Sequence, residues 1–536
     1  MTAFDAVAAY GSRRSPVLAD NVVATSQPLA AEAGVRMLHR GGNAVDAALA
    51  AAITLTIVEP TGNGIGADAF AILWDGKGLH GLNASGRSPA GWTPQRFAGR
   101  FAGRAAMPER GWDSVTVPGA VGAWSALSER FGRLPFEALF EPAVTLAERG
   151  FIVSPVIGAL WARAAGLLAG EPGFAEHFLP GGRAPRAGER FVNLPAAASL
   201  REIAETKGES FYRGPLAERI VADAARHGAA LTLDDMAAER PDWVQTVSGR
   251  FDGVTLHEIP PNGQGIAACM ALEMLAHTPV RELGPDDPRA MHIMIEAVKL
   301  ALRDAEAWVA DPKAMSDVGA EALLAPGYLA ERAALIDTGR AQDFGAGAPR
   351  RGGTVYLTAA DADGMMVSFI QSNYAGFGSG VVVPGTGIHL QNRGAGFVLD
   401  EGHPNRVGPS KRPFHTIIPG FLMEEAAPRM SFGVMGGPMQ AQGHVQMVLR
   451  TALWGQDVQT AADAPRWRVT EGVGLAVETS MPAATLEALA DLGHVLNLEP
   501  PDAAFGFGGA QLIQRLEGGG YAGGSDPRKD GLALGF

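Results

Sequence analysis

A threonine directly follows two glycines at the start of a strand-like stretch, "RRGGTVYLTAADADGMMVSFIQSN", residues 350–373. A threonine hydroxyl is a poor nucleophile unless a base lies within hydrogen-bond reach, and one known solution uses the residue's own free α-amino group. The reference pKa of that amine, about 7.7 to 8.0, suits a general base at neutral pH. Thr354 gains the amine only if the Gly353–Thr354 bond is cut, and glycine before it leaves room for the hydroxyl to attack the preceding carbonyl. From these residues alone, an ordinary turn into a hairpin is the alternative.

Two further glycines, Gly436 and Gly437, stand where a strand-like run enters a helical pattern in "SFGVMGGPMQAQGH". Adjacent backbone N–H groups at such a turn can stabilise an oxyanion, and glycine lets a substrate carbonyl approach closely. A nucleotide phosphate loop is the competing interpretation, but neither "GVMGGPM" nor "GNGIGADAF" fits the lysine-bearing phosphate-loop motif. As a single motif the glycine pair is a weak signal.

The bulk composition excludes several classes of function. The chain has 536 residues, 47% of them hydrophobic, and a formal net charge of -13 without any Lys/Arg-rich block. Because binding to nucleic acid requires a basic face, this composition disfavours nucleic acid and favours a small-molecule substrate. The single cysteine, Cys269, allows neither an internal disulfide nor a multi-cysteine metal site.

The chain start and the longest apolar run both argue against export or membrane insertion. Residues 1–20 lack the basic start, the long apolar run and the cleavage site of a secretory signal. The longest uncharged apolar run, within "AVDAALAAAITLTIVEP", is too short to span a bilayer. We therefore expect a soluble, cytoplasmic protein that makes no membrane contact.

The first part of the chain reads as mainly helical. The patterns predict a helix capped by Ser26, a second helix capped by Asn43, strands in "AFAILWDGKGLHGLNAS" and a mainly helical region from Trp124 to Ile266. A long amphipathic helix is predicted over 289–312, with its His292 interpreted as a solvated residue. A flexible linker over roughly 335–353 then ends at Thr354.

After the linker the pattern becomes β-rich. "TVYLTAAD" and "MMVSFIQS" predict a hairpin, further strands are predicted at "SGVVVPGTGIHLQ", "HTIIPGFLME" and "RMSFGVM", and a helix is predicted at "MQAQGHVQMVLRTALWG". Together the elements indicate a layered α/β fold with a predominantly antiparallel sheet and a boundary near residue 353.

Taken together, these stretches resemble the gamma-glutamyltranspeptidase family of N-terminal-nucleophile hydrolases. The resemblance covers nearly the whole chain, in the ordered matches "GGNAVDAALAAAITLTIVEP", "SVTVPGAVGAW", "FYRGPLAERI", "PPNGQGIAA", "IEAVKLALRDAEAWVADP", "TVYLTAADADG", "FGSGVVVPGTGIHLQNR", "GPSKRPFHTIIP", "GVMGGPMQ" and "GGSDPRKDG". It implies an αββα sandwich made as one precursor. The precursor would cleave itself into a large subunit, residues 1–353, and a small subunit, residues 354–536, which stay together as a heterodimer, with a dimer of heterodimers as a further option.

The resemblance also assigns roles to residues of the site. The family's nucleophile lies seven residues before an aspartate that precedes the hairpin turn, and Thr354 and Asp361 have that spacing. Ser372 falls where the family keeps a hydroxyl that supports the nucleophile. Gly436 and Gly437 fall on the oxyanion-hole pair.

Departures from the family pattern concern the substrate pocket. Ser85 stands where the family has the arginine that binds the glutamate α-carboxylate, so Arg87 is the candidate for a displaced carboxylate clamp. The alternative for Arg87 is a solvated or structural ion pair.

The segment that binds the glutamate α-amino group in the family also differs from the family pattern. The family's aspartate falls on Gly396, its paired serines fall on His415 and Thr416, and Arg393 adds a cation. Tyr374, in "FIQSNY", belongs to the same set of candidate substrate-binding residues.

This site lacks the carboxylate that binds the α-amino group and has cationic or neutral donors instead. These changes predict a substrate whose acyl group is acidic and carries no α-amino group. The segments resemble a subgroup that includes oxamate amidohydrolase. We therefore predict a self-processing amidohydrolase that cleaves a small carboxylate-bearing amide through an acyl-threonine, with no metal or organic cofactor. The alternatives are a gamma-glutamyltransferase or glutathione hydrolase, a cephalosporin-type acylase, and an unprocessed binding protein.

Overall fold

The computed structural model describes residues 14–101, 103–104, 106–344, 353–501 and 506–536. Within these ranges the strands are β1 (Val17–Ala19), β2 (Val22–Thr25), β3 (Asp68–Trp74), β4 (Leu79–Ala84), β5 (Phe151–Ile152), β6 (Arg190–Phe191), β7 (Asp242–Val244), β8 (Val247–Phe251), β9 (Val254–Glu258), β10 (Gly353–Ala360), β11 (Met366–Tyr374), β12 (Gly420–Glu424), β13 (Ala427–Met435), β14 (Trp467–Val469), β15 (Gly474–Glu478), β16 (Val495–Glu499), β17 (Gly509–Arg515), β18 (Tyr521–Ser525) and β19 (Leu532–Gly535).

The α-helices in the same ranges are α1 (Pro28–His39), α2 (Ala44–Val58), α3 (Pro94–Arg100), α4 (Ala120–Phe131), α5 (Glu141–Arg149), α6 (Pro155–Leu168), α7 (Phe174–Phe178), α8 (Leu194–Glu205), α9 (Glu209–Arg213), α10 (Pro215–Arg226), α11 (Leu233–Ala238), α12 (Gly265–Leu275), α13 (Pro288–Trp308), α14 (Ala320–Leu323), α15 (Pro326–Ala333), α16 (Met439–Val448), α17 (Val458–Asp463) and α18 (Ala483–Asp491).

Two seven-stranded antiparallel sheets form the centre of the molecule. Sheet I has the order β1-β18-β17-β13-β12-β9-β8. Sheet II has the order β19-β2-β10-β11-β3-β4-β7. The hairpin predicted after residue 353 is β10–β11, at the middle of sheet II.

Three apolar clusters define the layers. Between the sheets, Phe70 and Tyr356 of sheet II pack with Phe421 and Ile513 of sheet I. A second cluster joins sheet II to helices that include α2, α4 and α8, and a third joins sheet I to helices that include α12, α13 and α16. The order helix, sheet, sheet, helix is the predicted αββα sandwich, and that prediction is confirmed.

Helix α2 shows how the sequence fixes one of these layers. Its residues are apolar or small around the whole circumference and all are buried, as expected of a helix covered on every side. The predicted Asn43 cap is confirmed, and it forms a capping box with Asp46. Asp361, at the end of β10, accepts from the Ala44 N–H over 2.7 Å, so the hairpin and the helix start are fixed to each other.

The division at residue 353 cuts the chain but does not divide the sheets. In sheet II, β10 lies between β2 and β11, and in sheet I, β12 lies between β9 and β13. Each sheet therefore contains strands from both sides of residue 353.

Several local predictions are wrong. Ser26 does not cap α1, because its Oγ donates to Glu59 over 2.5 Å and Gln27 occupies the cap position. The region from Trp124 to Ile266 includes β7, β8 and β9, which the helical reading missed. Residues 379–391 form no named strand and contribute only isolated bridges, such as Val382 with His389.

Part of the predicted linker, residues 345–352, and the first 13 residues lie outside the described ranges. Among the described residues, no helix has the length and apolar character needed to cross a membrane.

Candidate active site

A β-bulge brings two hydroxyl groups together at the start of the hairpin. The register of β10 against β11 shifts between Gly353 and Val355, so β11 carries one extra residue opposite Thr354. Bulges of this kind redirect side chains. The Oγ1 of Thr354 lies 3.2 Å from the Oγ of Ser372, and both residues are buried.

Two polar side chains contact the Thr354 hydroxyl. The Oγ of Ser372, 3.2 Å from that hydroxyl, accepts from the Tyr374 N–H over 2.8 Å and from Nη2 of Arg393 over 3.3 Å. The Nε2 of Gln440 donates to the Thr354 Oγ1 over 3.3 Å. Polar groups on two sides of one oxygen suit a hydroxyl on which negative charge develops.

The glycine turn lies next to this pair. Gly436 and Gly437 have φ angles of +122° and +62°, conformations that favour glycine. Among the described residues, their N–H groups donate to no backbone carbonyl. Gln440 links the turn to Thr354, and Nε2 of Gln264 donates to the Gly437 carbonyl over 3.0 Å. The turn is therefore fixed beside Thr354, and its geometry is suited to an oxyanion hole.

Arg393 is a buried cation in the same site. Its Nη1 donates to the Thr416 Oγ1 over 2.9 Å and its Nη2 to Ser372, while its Cζ lies 4.3 Å from the centroid of the Tyr374 ring. Burial lowers the pKa of Arg393 to about 10, against the opposing charge of Asp68, so the guanidinium stays charged at neutral pH. Among the described residues, no carboxylate forms an ion pair with it.

Tyr374 takes an unusual conformation to make these contacts. Its φ is +76°, in the left-handed region that residues with side chains seldom occupy. The turn ends β11, brings the Tyr374 N–H to Ser372 and places its ring against Arg393. Backbone strain of this kind is concentrated at functional sites.

His415 supports the site instead of facing a substrate. Its Nε2 lies 3.2 Å from Oδ2 of Asp68, and its Nδ1 accepts from the Ile417 N–H over 3.4 Å. Burial, together with the charges of Arg393 and Arg412, holds the pKa of His415 well below its usual value, so the ring is neutral. Both nitrogens are occupied, and the prediction that His415 binds substrate is replaced by a role in holding Asp68.

The contacts of Arg87 do not support its prediction as a carboxylate clamp. Its guanidinium lies 3.3 Å from Asp242 and 3.4 Å from Asp311, so its charge is already paired. Ser85, at the position of the family arginine, is buried and donates to Oδ1 of Asn83 over 2.8 Å. The structural ion pair, considered above as the alternative, describes Arg87.

A cavity of about 510 Å³ opens beside two of the candidate residues. Thr416 and Tyr374 line it, and Trp308, Phe397 and Phe414 add an aromatic surface. The cavity thus joins the polar groups around Arg393 to an apolar surface.

Residues 30–536 match the family model described as Gamma-glutamyltranspeptidase. The chain belongs to the gamma-glutamyltranspeptidase family.

Relatives and solved structures extend this assignment. The glutathione hydrolase-like YwrD proenzyme of Bacillus subtilis is 37% identical over 531 residues, which cover 98% of this chain and 100% of that protein. The oxamate amidohydrolase proenzyme of Klebsiella pneumoniae is 35% identical over 520 residues, which cover 95% and 97%. The crystal structure of cephalosporin acylase from Bacillus halodurans superimposes with a TM-score of 0.94 at 45% identity and covers 100% of this chain and 99% of that one.

These relatives are hydrolases and acylases, and this gamma-glutamyltranspeptidase family member is an enzyme of the same kind. The predictions of the family, of the enzyme class and of the N-terminal-nucleophile hydrolase fold are confirmed. The similarity to relatives with different named activities leaves the substrate to be argued from this site.

Sequence reasoning missed several residues of the family site. Gln440 donates directly to the Thr354 hydroxyl, and its only signal in the sequence was a polar residue in the first turn of a buried helix. At Gly62 an added Cβ would lie 3.2 to 3.3 Å from the Thr354 backbone, which explains a glycine in "GNGIG" better than a phosphate loop does. Asp68 and Gln264 had no signal in sequence, since their partners are distant along the chain.

One group of described residues combines metal-ligand types: His292, Glu296 and His494, with ligand atoms within 4.8 Å of one another. The two imidazoles are hydrogen-bonded to each other over 2.9 Å, and Glu296 pairs with the Lys299 ammonium over 2.7 Å. The adjacent ammonium disfavours a metal cation. The interpretation of His292 as solvated is wrong, because it is fully buried in this hydrogen-bonded cluster.

Proposed function

We propose that this enzyme is a self-processing amidohydrolase that cleaves a small amide carrying a carboxylate, through an acyl ester on Thr354. The observation that carries the proposal is Arg393, a buried guanidinium that contacts Ser372 and Thr416 and has no carboxylate partner among the described residues. Burying an unpaired charge is costly, and a substrate carboxylate would compensate it.

The charge of Arg393 also selects against an α-amino group. A gamma-glutamyl substrate carries an ammonium beside its α-carboxylate, and Gly396 provides no side chain to bind it. An ammonium near the buried guanidinium would be repelled. This favours an oxamate-like acyl group over glutathione.

Processing starts with attack of the Thr354 hydroxyl on the Gly353 carbonyl. The C–O bond forms, the C–N bond breaks, and the resulting ester is hydrolysed by water to give the Gly353 carboxylate and a free Thr354 amine. Strands from both sides of the cut share each sheet, so the two subunits would remain together.

The mature enzyme then uses the same threonine for turnover. The free amine accepts the hydroxyl proton as Oγ1 attacks the substrate amide, and the Gly436 and Gly437 N–H groups bind the oxyanion. The amine passes the proton to the leaving nitrogen, and water releases the acyl group. Ser372 and Gln440 stabilise the charge on Oγ1 through their hydrogen bonds.

Intact mass under denaturing conditions, with sequencing of each new N-terminus, tests the processing step. We expect two unequal fragments, the smaller beginning at Thr354, and a single inactive chain for Thr354→Ala. Unchanged activity in Thr354→Ala would overturn the mechanism. A full-length wild-type chain would instead favour the unprocessed binding protein.

A pair of anilides that differ only in one amino group tests the substrate class. We expect glutaryl-p-nitroanilide to be hydrolysed with a higher kcat/KM than gamma-glutamyl-p-nitroanilide, and oxamate to be hydrolysed to oxalate and ammonia. Preference for the gamma-glutamyl compound would support a glutathione hydrolase.

The cavity supports a second candidate, an acylase with a bulky leaving group. Its volume of about 510 Å³ and its aromatic surface exceed what ammonia, the leaving group of oxamate, can occupy. A series of glutaryl amides with leaving groups from ammonia to aromatic amines separates the two: a steep rise in kcat/KM with apolar size favours the acylase, and a flat or falling series favours the small amide.

A further inference from the structure

A second cavity lies away from the nucleophile, where α4, α9 and the segment between α11 and β7 meet. It has a volume of about 620 Å³, and its walls include Leu134, Phe136, Tyr212, Glu239 and Pro241. It shares no lining residue with the cavity beside Thr416. Nothing in the proposed catalytic cycle uses it.

One carboxyl group that lines this cavity has an oxygen without a hydrogen-bond partner among the described residues. Glu239 is 5% exposed, its Oε1 has no hydrogen-bond partner, and it forms no ion pair with any described residue. The neighbouring Tyr212 hydroxyl cannot donate to Glu239, because its O–H already donates to the Pro118 carbonyl over 2.9 Å while its oxygen accepts from the Gly122 N–H over 2.9 Å. A buried acceptor without a donor costs free energy that a ligand can recover.

The electrostatics of Glu239 agree with a missing counter-ion. Burial, with a smaller contribution from the charge of Asp68, raises the pKa of Glu239 to about 8, although the charges of Arg412 and Arg87 and a hydrogen bond from the Arg87 backbone oppose the rise. A donor at Oε1, above all a charged one, would stabilise the ionised carboxylate.

The remaining charged residues that line the cavity are Glu129, Glu137, Glu209, Lys207, Arg213 and Arg240. Arg213 is paired with Glu209 over 2.8 Å, and Arg240 donates to the Ala237 carbonyl over 2.8 Å. These two cations therefore already have partners. The Oε1 of Glu239 still lacks a hydrogen-bond donor.

We propose that this cavity binds a small primary ammonium ligand, whose N–H groups donate to the Glu239 carboxylate while its carbon chain packs against Leu134, Phe136 and Pro241. An ammonium fits better than a neutral donor because charge-assisted hydrogen bonds are about twice as strong. The site is independent of the proposed function, since it shares no residue with the nucleophile or the glycine turn.

Isothermal titration of the purified wild-type enzyme with n-butylammonium chloride at about pH 9 tests the site, since a carboxyl group with a pKa of about 8 is ionised there and an alkylammonium, whose pKa is close to the value of about 10.4 for lysine, keeps its charge. We expect saturable binding, at least about tenfold weaker binding to Glu239→Gln, and at least about tenfold weaker binding of n-butanol to the wild type. The glutamine replacement keeps the shape of the side chain and removes its charge, and circular dichroism and thermal unfolding show whether the variant is folded.

Glu137→Gln is the matched control, since it removes a carboxylate at the exposed mouth of the same cavity. Its affinity for n-butylammonium should stay within about twofold of wild type. Equal losses in the two glutamine variants would mean that general negative charge attracts the ligand, and equal binding to wild type and Glu239→Gln, or no saturation in the wild type, would overturn the proposal.

Discussion

Two regions of the molecule bury arginines. In one region the arginines are paired with carboxylates, and in the other the arginine contacts neutral groups. In the C-terminal region, Arg466 lies 2.6 Å from Asp526, and Arg528 lies 2.5 Å from Glu478, with all four side chains buried. At the candidate active site, Arg393 is equally buried, but its partners are two hydroxyl groups and an aromatic ring.

The difference separates structural charge from functional charge. A buried cation next to a carboxylate is compensated within the fold. A buried cation whose hydrogen-bond partners are neutral has no ion-pair partner within the fold, and a substrate carboxylate can provide one. Four substitutions test whether the two regions differ in this way.

The largest effect is expected at the paired region. Asp526→Asn leaves Arg466 and Arg528 without the carboxylate they share, and breaking a buried ion pair costs about 3 to 5 kcal/mol of unfolding free energy. Urea unfolding measures the loss. Burial raises the pKa of Asp526, but the charges of Arg466 and Arg528 outweigh burial and lower this pKa to about 2, whereas an unfolded aspartate has a pKa of about 3.9. The wild type should therefore lose the part of this stabilisation that depends on the ionised carboxylate progressively as the pH falls from about 4 to about 2. A loss below about 1 kcal/mol would show that the pairs are not structural.

Arg393→Met should lower activity without lowering stability. We expect kcat/KM for glutaryl-p-nitroanilide to fall roughly a hundredfold to a thousandfold, because the substrate loses charge-assisted hydrogen bonds. The urea midpoint should not fall, since the variant removes a buried unpaired charge. Processing measured by intact mass serves as the control, and Arg393→Lys should lie between, since an ammonium cannot make the bidentate contact.

A lower midpoint together with full activity in Arg393→Met would contradict the comparison, because Arg393 would then be structural like Arg466.

Asp68 tests the electrostatic surroundings of Arg393. Burial raises the pKa of Asp68 to about 6, against the opposing charge of Arg393, whereas an unfolded aspartate has a pKa of about 3.9. Between these values the folded state holds a proton that the unfolded state has lost, so Asp68 lowers the unfolding free energy as pH rises from about 4 to 6. The expected decrease is about 2 kcal/mol, and Asp68→Asn should remove it.

The difference between the wild-type and Asp68→Asn stability curves should become constant above about pH 6. Glu239→Gln is the control, because burial raises the pKa of Glu239 to about 8 and its difference curve should continue to change up to that pH. Parallel curves for wild type and Asp68→Asn between pH 4 and 6 would show that Asp68 does not titrate in this range.

Local patterns predicted much of the fold. The Asn43 capping box, the β10–β11 hairpin and α13 follow from spacing within a few residues, so they can be read from sequence. The burial of His292 cannot, because its partner His494 is 202 positions away. The strand predicted within 379–391 failed because an apolar, β-branched run was read without the glycines that turn the chain there, among them Gly385 and Gly387 at φ +69° and +66°.

For the site, sequence supplied only some of the residues. Thr354 and the glycine turn were noted from local pattern and Ser372 from the family resemblance, and the structure brings them together with Gln440, which sequence reasoning missed. Sequence could not tell which arginine is compensated, because the partners of Arg87 lie 155 and 224 positions away.

Arg87→Met should therefore have the smallest effect of the four. Arg87 is 30% exposed on its side chain, and Asp242 keeps its contact with Arg412 when Arg87 is removed. We expect kcat/KM for glutaryl-p-nitroanilide to change less than about threefold and the unfolding free energy to fall by about 1 kcal/mol or less. A hundredfold loss expressed in KM would restore Arg87 as the carboxylate clamp. In that case Arg393 would be the compensated arginine, and the contrast between the two regions would have to be drawn at a different residue.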